Sequence, residues 1–261
     1  MNWRVGVAGS PVSHSLSPRL HEMGLRLAGL AGTSTRVEID LDHASDLRRL
    51  LGTAFDALSV TSPLKGAAFE FCDEASEIAI RTQSVNSLLV RDGVVYGDST
   101  DGAGFVDAVT DTFGPVVEDA HVVVLGAGGA ASAIVDGLVA SGAQSVVVHG
   151  RTESNVDKLV ARYQNVNSWS LVYRPIDLIV NTVPDAGRSA EASVLQGVHH
   201  DTIAVDIVYD PRETEWGQRY REFGCRTMNG LPMLAYQAAI QMRWWWGVAL
   251  DGAQLLEGLQ Q

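Results

Sequence analysis

With 261 residues, 46% of them hydrophobic and 19% charged, the chain can bury one large core or two modest ones, which excludes a stapled mini-protein and a disordered or fibrous polymer. Nineteen Lys+Arg against 31 Asp+Glu leave a formal charge of −12, so attraction to nucleic acid or to an anionic membrane is excluded as a general property, and an anionic ligand must meet a local positive site. The two cysteines, Cys72 and Cys225, have no CxxC spacing, and no apolar run approaches the ~18 residues of a membrane span or forms an export signal, so the expected setting is the reducing cytoplasm.

Short β-branched runs alternate with helical stretches, the pattern of parallel strands joined by crossover helices. The first part reads as a strand over Arg4–Ala8, a helix over Pro18–Leu30, a strand over Thr35–Asp40 and a helix over Ala44–Leu51. Strands follow over Ala57–Thr61, Ser87–Val90 and Val94–Tyr96. Asp92-Gly93 is a hairpin turn between the last two, so this sheet should be mixed. A helix from Asp101 to Phe113 stops at Gly114-Pro115.

The second part gives strands over Val122–Leu125, Ser145–His149, Leu178–Asn181 and Ile203–Ile207, whose continuous apolar character suits a parallel sheet covered on both faces. Its helices fall at Ala130–Ala140, Ser154–Tyr163 and Thr214–Phe223, and the stretch from Tyr163 to Pro175 leaves room only for a reduced element. An apolar helix over Met233–Leu250 should return the C-terminus to the first part.

Gly126-Ala127-Gly128-Gly129-Ala130-Ala131 matches G-x-G-x-x-A directly between a strand and a helix. Gly126 permits the tight turn, Gly128 lets backbone approach a pyrophosphate, and the helix start offers free N–H groups and positive dipole. The bland alternative is a glycine-rich turn without a ligand. At the end of the next strand, Val148-His149-Gly150-Arg151-Thr152 lacks the carboxylate that would hold a ribose 2′-hydroxyl, while Arg151 and Thr152 offer donors for a 2′-phosphate. NADP is therefore expected over NAD, unless Arg151 merely caps the strand.

Ser13-His14-Ser15-Leu16-Ser17-Pro18 closes the first strand, with Ser17 placed to N-cap the next helix and Ser15 placed to project a second hydroxyl beside it. Lys65 follows Ser59-Val60-Thr61-Ser62-Pro63-Leu64 in apolar surroundings and is either a catalytic or an ordinary surface lysine. Asn86 is ambiguous alone, and Asp101 could cap the helix it begins. Gln237 lies on an apolar helix, as part of a solvated stripe or as a buried ligand group. The seven histidines show no metal-ligand spacing, and His199-His200 should diverge on a regular element, so no metal is expected. No Gly-x-Ser-x-Gly nucleophile occurs.

Seven stretches in order, S-L-S at 15–17, V-T-S-P-L-K at 60–65, V-N-S at 85–87, S-T-D-G at 99–102, GAGGAA at 126–131, D-I-V-Y-D-P at 206–211 and G-L-P-M-L-A-Y-Q at 230–237, resemble the shikimate dehydrogenase family over nearly the whole chain. The resemblance implies a two-domain α/β enzyme: a mixed-sheet substrate domain at 1–102 plus 232–261, a Rossmann-type NADP domain at 103–231, and an active site in the cleft between them. It implies NADPH-dependent, reversible reduction of 3-dehydroshikimate to shikimate in aromatic amino-acid biosynthesis, by a monomer or homodimer. Lys65 would be the acid/base residue with Asp101 its partner. Ser15, Ser17, Thr61, Asn86, Asp101, Tyr209 and Gln237 would bind substrate, and Gly126, Ala127, Gly128, Gly129, Ala130, Arg151, Thr152, Ile207 and Gly230 would hold the cofactor. Ser87, Ser99 and Gly150 depart from the family's usual Thr, Asn and Asn. An NAD-dependent quinate/shikimate dehydrogenase and a non-catalytic nicotinamide-binding regulator are the alternatives.

Overall fold

The computed structural model describes residues 2–169, 175–183 and 195–261. The chain folds as two compact units, one formed by Met1–Gly104 with Leu234–Gln261 and the other by Phe105–Met233.

The first unit is built on a six-stranded sheet of β1 (Asn2–Gly9), β2 (Ala31–Glu38), β3 (Ala57–Val60), β4 (Glu74–Ala75), β5 (Ser87–Arg91) and β6 (Val94–Asp98), in the order β2-β1-β3-β5-β6-β4. β2, β1 and β3 are parallel, whereas β5 runs antiparallel to both β3 and β6. The sheet is mixed, and Asp92 and Gly93, both at positive φ, turn the β5–β6 hairpin. β2 begins four residues before the expected Thr35, because β1 pairs along its full length from Asn2↔Ala31 to Gly9↔Glu38. Helix α1 (Ser17–Leu27) ends earlier than expected: Gly29 takes the left-handed conformation, and Leu30 N–H closes back on Leu25 O.

Helices α2 (Asp46–Leu50), α3 (Lys65–Phe71) and α4 (Glu77–Thr82) complete the chain up to the hairpin, the last two unforeseen in the sequence. Leu47, Leu58, Leu64 and Leu88 are fully buried in one cluster, each contributing ~2 kcal/mol by leaving water.

The second unit carries β7 (His121–Leu125), β8 (Ser145–His149), β9 (Val166–Ser168), β10 (Leu178–Asn181), β11 (Ile203–Asp206) and β12 (Arg226–Met228), all parallel, in the order β12-β11-β10-β7-β8-β9. β10 and β11 are buried at every residue, the state their apolar runs demand. β9 has three residues, and 170–174 of the stretch expected to be reduced lie outside the described residues. β12 was not foreseen. Helices α6 (Gly129–Ala140), α7 (Glu153–Val160) and α8 (Glu215–Glu222) follow β7, β8 and β11.

The chain passes between units inside two helices, α5 (Asp101–Phe113) and α9 (Gly230–Trp246). α9 starts before the expected Met233 and stops at Gly247, which is left-handed. A last helix, α10 (Gly252–Gln260), is capped by Asp251, whose carboxylate accepts from Ala253 N–H at 2.9 Å. Its Gly258 lies so close to Met23 of α1 that a Cβ would sit 2.2 Å from Met23 Cε, so the C-terminus does return to the first unit.

Candidate functional site

The antiparallel hairpin decides which residues of the first unit meet. β3 ends at Val60, and because β5 runs the other way, Asn86 before its start lies at the same edge, with Val60 N–H donating to Asn86 O at 2.7 Å. β6 reverses again, so its end and the following Ser99–Asp101 return there, with Asn86 N–H on Asp98 O at 3.1 Å. α3 begins at that edge with Lys65, whose carbonyl accepts from Val85 N–H.

Lys65 Nζ donates to Asp101 Oδ2 at 2.5 Å, both side chains being largely buried. Asn86 Nδ2 donates to Asp101 Oδ1 at 2.8 Å. Asn86 Oδ1 accepts from Thr100 N–H at 2.8 Å, which fixes the orientation of the amide. Gln237, buried on α9, accepts from Asn86 Nδ2 at 3.2 Å, so the solvated-stripe reading fails. Gly104 permits this approach: a Cβ there would lie 2.4 Å from Gln237 N. Lys65, Asn86, Asp101 and Gln237 thus form one hydrogen-bonded group with Thr100, which the sequence reading did not single out although it sits inside S-T-D-G. Asp101 is the first residue of α5, and its oxygens serve Lys65 and Asn86.

Ser15 and Ser17 are buried and paired, Ser15 Oγ donating to Ser17 Oγ at 3.3 Å. Ser17 is not the N-cap: Leu16 holds that position without a side-chain bond and Ser17 is the first helical residue, which leaves its hydroxyl beside Ser15. Arg36 donates twice to Ser15 O, at 3.0 and 2.6 Å, and so fixes this loop. Thr61 follows β3 beside the end of β1, where Gly9 leaves room: a Cβ on Gly9 would meet Thr61 Cγ2 at 2.3 Å.

In the second unit, Gly126 turns at φ 115, with its would-be Cβ 2.1 Å from Thr182 Oγ1, so only glycine fits. Ala127 leads to Gly128, the extended N-cap of α6, which is exposed with nothing within 4 Å of a Cβ position. Gly129 and Ala130 form the first turn. The result is an open cradle of backbone at a helix start, suited to a dinucleotide pyrophosphate. Arg151 and Thr152 are exposed where β8 gives way to α7, and Thr152 is the N-cap without using its hydroxyl as one. Gly150 is crowded: a Cβ would lie 2.9 Å from Val156 and 3.4 Å from Ala127. Gly230 is pressed on Ile207, whose oxygen would be 1.9 Å from a Cβ, and its N–H donates to Val208 O. Tyr209 lies in the same loop after β11.

Asp206, also unforeseen, is buried beneath that loop and accepts from Thr214, Asn181 and Val208. Burial pushes its carboxyl up, against the pull of those donors. His199 and His200 do not diverge as expected, because they sit in a turn closed by Thr202 N–H on His199 O, with ligand atoms of both and of Asp201 within 4.8 Å of one another. None of the helices among the described residues is long and apolar enough to cross a membrane.

Residues 7–88 match the family profile for the shikimate dehydrogenase substrate binding domain, and residues 108–185 that for shikimate / quinate 5-dehydrogenase. A curated shikimate dehydrogenase (NADP(+)) from an Exiguobacterium species is 32% identical, with 98% of this chain and 98% of the relative covered. The chain belongs to the shikimate dehydrogenase family. A second family member, the shikimate dehydrogenase (NADP(+)) of Roseobacter denitrificans, is 33% identical over 93% of this chain and 91% of its own. The crystal structure of shikimate 5-dehydrogenase from Thermus thermophilus in complex with NADP(H) and shikimate superposes with a TM-score of 0.87 at 32% identity, covering 99% of this chain and 98% of that one.

Proposed function

We propose that this shikimate dehydrogenase family member is an NADP-dependent oxidoreductase that interconverts 3-dehydroshikimate and shikimate, supplying aromatic amino-acid biosynthesis. The observation that carries the reading is the buried Lys65–Asp101 pair held by Asn86, which in turn bonds Gln237. Residues 1–102 and 232–261 are the substrate domain and 103–231 the NADP domain, in a cytoplasmic enzyme that works as a monomer or homodimer.

NADPH, when bound, supplies the hydride. Gly126, Ala127, Gly128, Gly129 and Ala130 would hold it along the open backbone cradle, with Ile207 and Gly230 beside it, and Arg151 with Thr152 would take the 2′-phosphate. Reduction of a ketone builds negative charge on oxygen, and the Lys65 ammonium is the donor that meets it. Asp101 aims that ammonium, and Asn86 aims Asp101. The substrate is a small polyhydroxy carboxylate, and Ser15, Ser17, Thr61, Asn86, Tyr209 and Gln237 give its oxygens partners. Rejection of near-analogues follows, because a missing hydroxyl would strand one of these groups without a bond.

The test follows nicotinamide absorbance with shikimate or quinate and with NADP or NAD, in all four combinations. Turnover of shikimate with NADP well above the other three supports the assignment. Preference for NAD favours the quinate/shikimate alternative, and cofactor binding without turnover favours a regulator.

A further inference from the structure

A second run of buried polar groups is joined to the Lys65 group. His21 of α1 is completely buried, with Nδ1 2.8 Å from Ser34 Oγ on β2 and Nε2 2.9 Å from Ser59 Oγ on β3. Ser59 Oγ donates to Gln241 Oε1 at 2.6 Å. Gln241, one helical turn after Gln237 on α9, donates from Nε2 to Asn86 O at 3.0 Å. Asn86 then bonds Asp101, and Asp101 bonds Lys65.

Counting protons fixes the direction of each bond. The Asn86 carbonyl can only accept, so the NH2 of Gln241 faces it and the amide oxygen faces Ser59. Ser59 has a single proton and gives it to that oxygen. Only lone pairs remain for His21, so Nε2 carries the ring hydrogen, and Nδ1 of the neutral ring accepts from Ser34. Burial holds the His21 pKa down at about 4, which keeps the ring neutral around pH 7. The edge-on indole of Trp245, 5.2 Å away, packs against the same ring.

We propose that His21 is a positioning residue for the chemistry at Lys65: through Ser59 and Gln241 it fixes the backbone of Asn86, whose side chain holds Asp101 toward the ammonium. This rests on the functional reading above. The His21 side chain hydrogen-bonds Ser34 and Ser59 and none of the side chains assigned to the substrate, so its loss acts on the aim of Lys65 and Asp101, and a misplacement of about 1 Å is enough to slow a step that depends on orientation.

Kinetics of wild type, His21→Leu, His21→Gln, Ser59→Ala and the Leu/Ala double variant test this, with thermal denaturation checking that each is folded. His21→Leu should lower kcat about 10-fold with KM for shikimate within about twofold. Ser59→Ala cuts the same chain by a smaller change and should reproduce that loss. The double variant should be no worse than either single one, because all three break one path. His21→Gln, which keeps a donor toward Ser59, should restore most of kcat. Nitrogen NMR of the full wild-type chain should show the Nε2–H tautomer of His21. Unchanged kcat in folded His21→Leu or Ser59→Ala, losses that multiply in the double variant, or an Nδ1–H tautomer would overturn the proposal. A wild type that turns over neither substrate with either cofactor refutes the functional reading and this one with it, whereas an active wild type beside an equally active His21→Leu refutes the positioning role alone.

Discussion

The buried imidazole of His21 makes stability depend on pH in a way that can be worked out and isolated. In the fold its pKa is about 4, against an ordinary value of 6.5, because burial penalises the charged ring. The unfolded chain therefore binds a proton that the folded one refuses, and stability present above pH 6.5 is lost as pH falls toward 4. The full difference corresponds to about 3 kcal/mol; at pH 5.5, still above the sequence pI of about 4.9, the loss is about 1 kcal/mol. Other ionisable groups also titrate in this range, so the measurement is a comparison. Urea unfolding of wild type and His21→Gln, followed by tryptophan fluorescence at pH 7.5 and 5.5, should show wild type losing about 1 kcal/mol more than the variant, whatever their absolute stabilities. Parallel losses in the two proteins would mean that the ring is protonated in the fold or reached by water, and would refute the reasoning.

Three further outcomes are expected. Lys65→Met, which keeps the aliphatic stem, should cut kcat about 1000-fold while shikimate binding, followed by calorimetry, weakens much less. Arg151→Ala should raise KM for NADP about 10-fold and leave KM for NAD unchanged, as steady-state kinetics with both cofactors will show. Gly104→Ala puts a Cβ about 2.5 Å from three Gln237 atoms that cannot all give way. It should cost ~1–3 kcal/mol on thermal denaturation and lower kcat together, because Gln237 is displaced from Asn86.

The second unit was legible because β7, β8, β10 and β11 are continuous apolar strands and the glycine turn stands where a strand meets a helix. β4 and β12, with two and three residues, carry too few side chains for a pattern, and α3 and α4 are too short to show a helical period. β2 was cut short by Gly32, Thr33 and Ser34, which resemble a turn and are strand only because β1 lies alongside. Ser17 satisfied every local rule for a cap, yet the helix starts one residue earlier and frees its hydroxyl. Lys65 and Asp101 were individually ambiguous, and it was the family resemblance that joined them. The His21–Ser59–Gln241 path had no signature, since its members come from α1, β3 and α9 and meet only through the fold.

The second unit is one uninterrupted stretch, Phe105–Met233, spliced into a first unit whose two pieces are separated by it. During synthesis the spliced stretch can therefore finish while its host still lacks α9 and α10. Lys65, Asn86 and Asp101 leave the ribosome before the second unit, but Gln237 and Gln241 arrive only after it. The nascent chain completes its second unit first and the hydrogen-bonded group around Lys65 last.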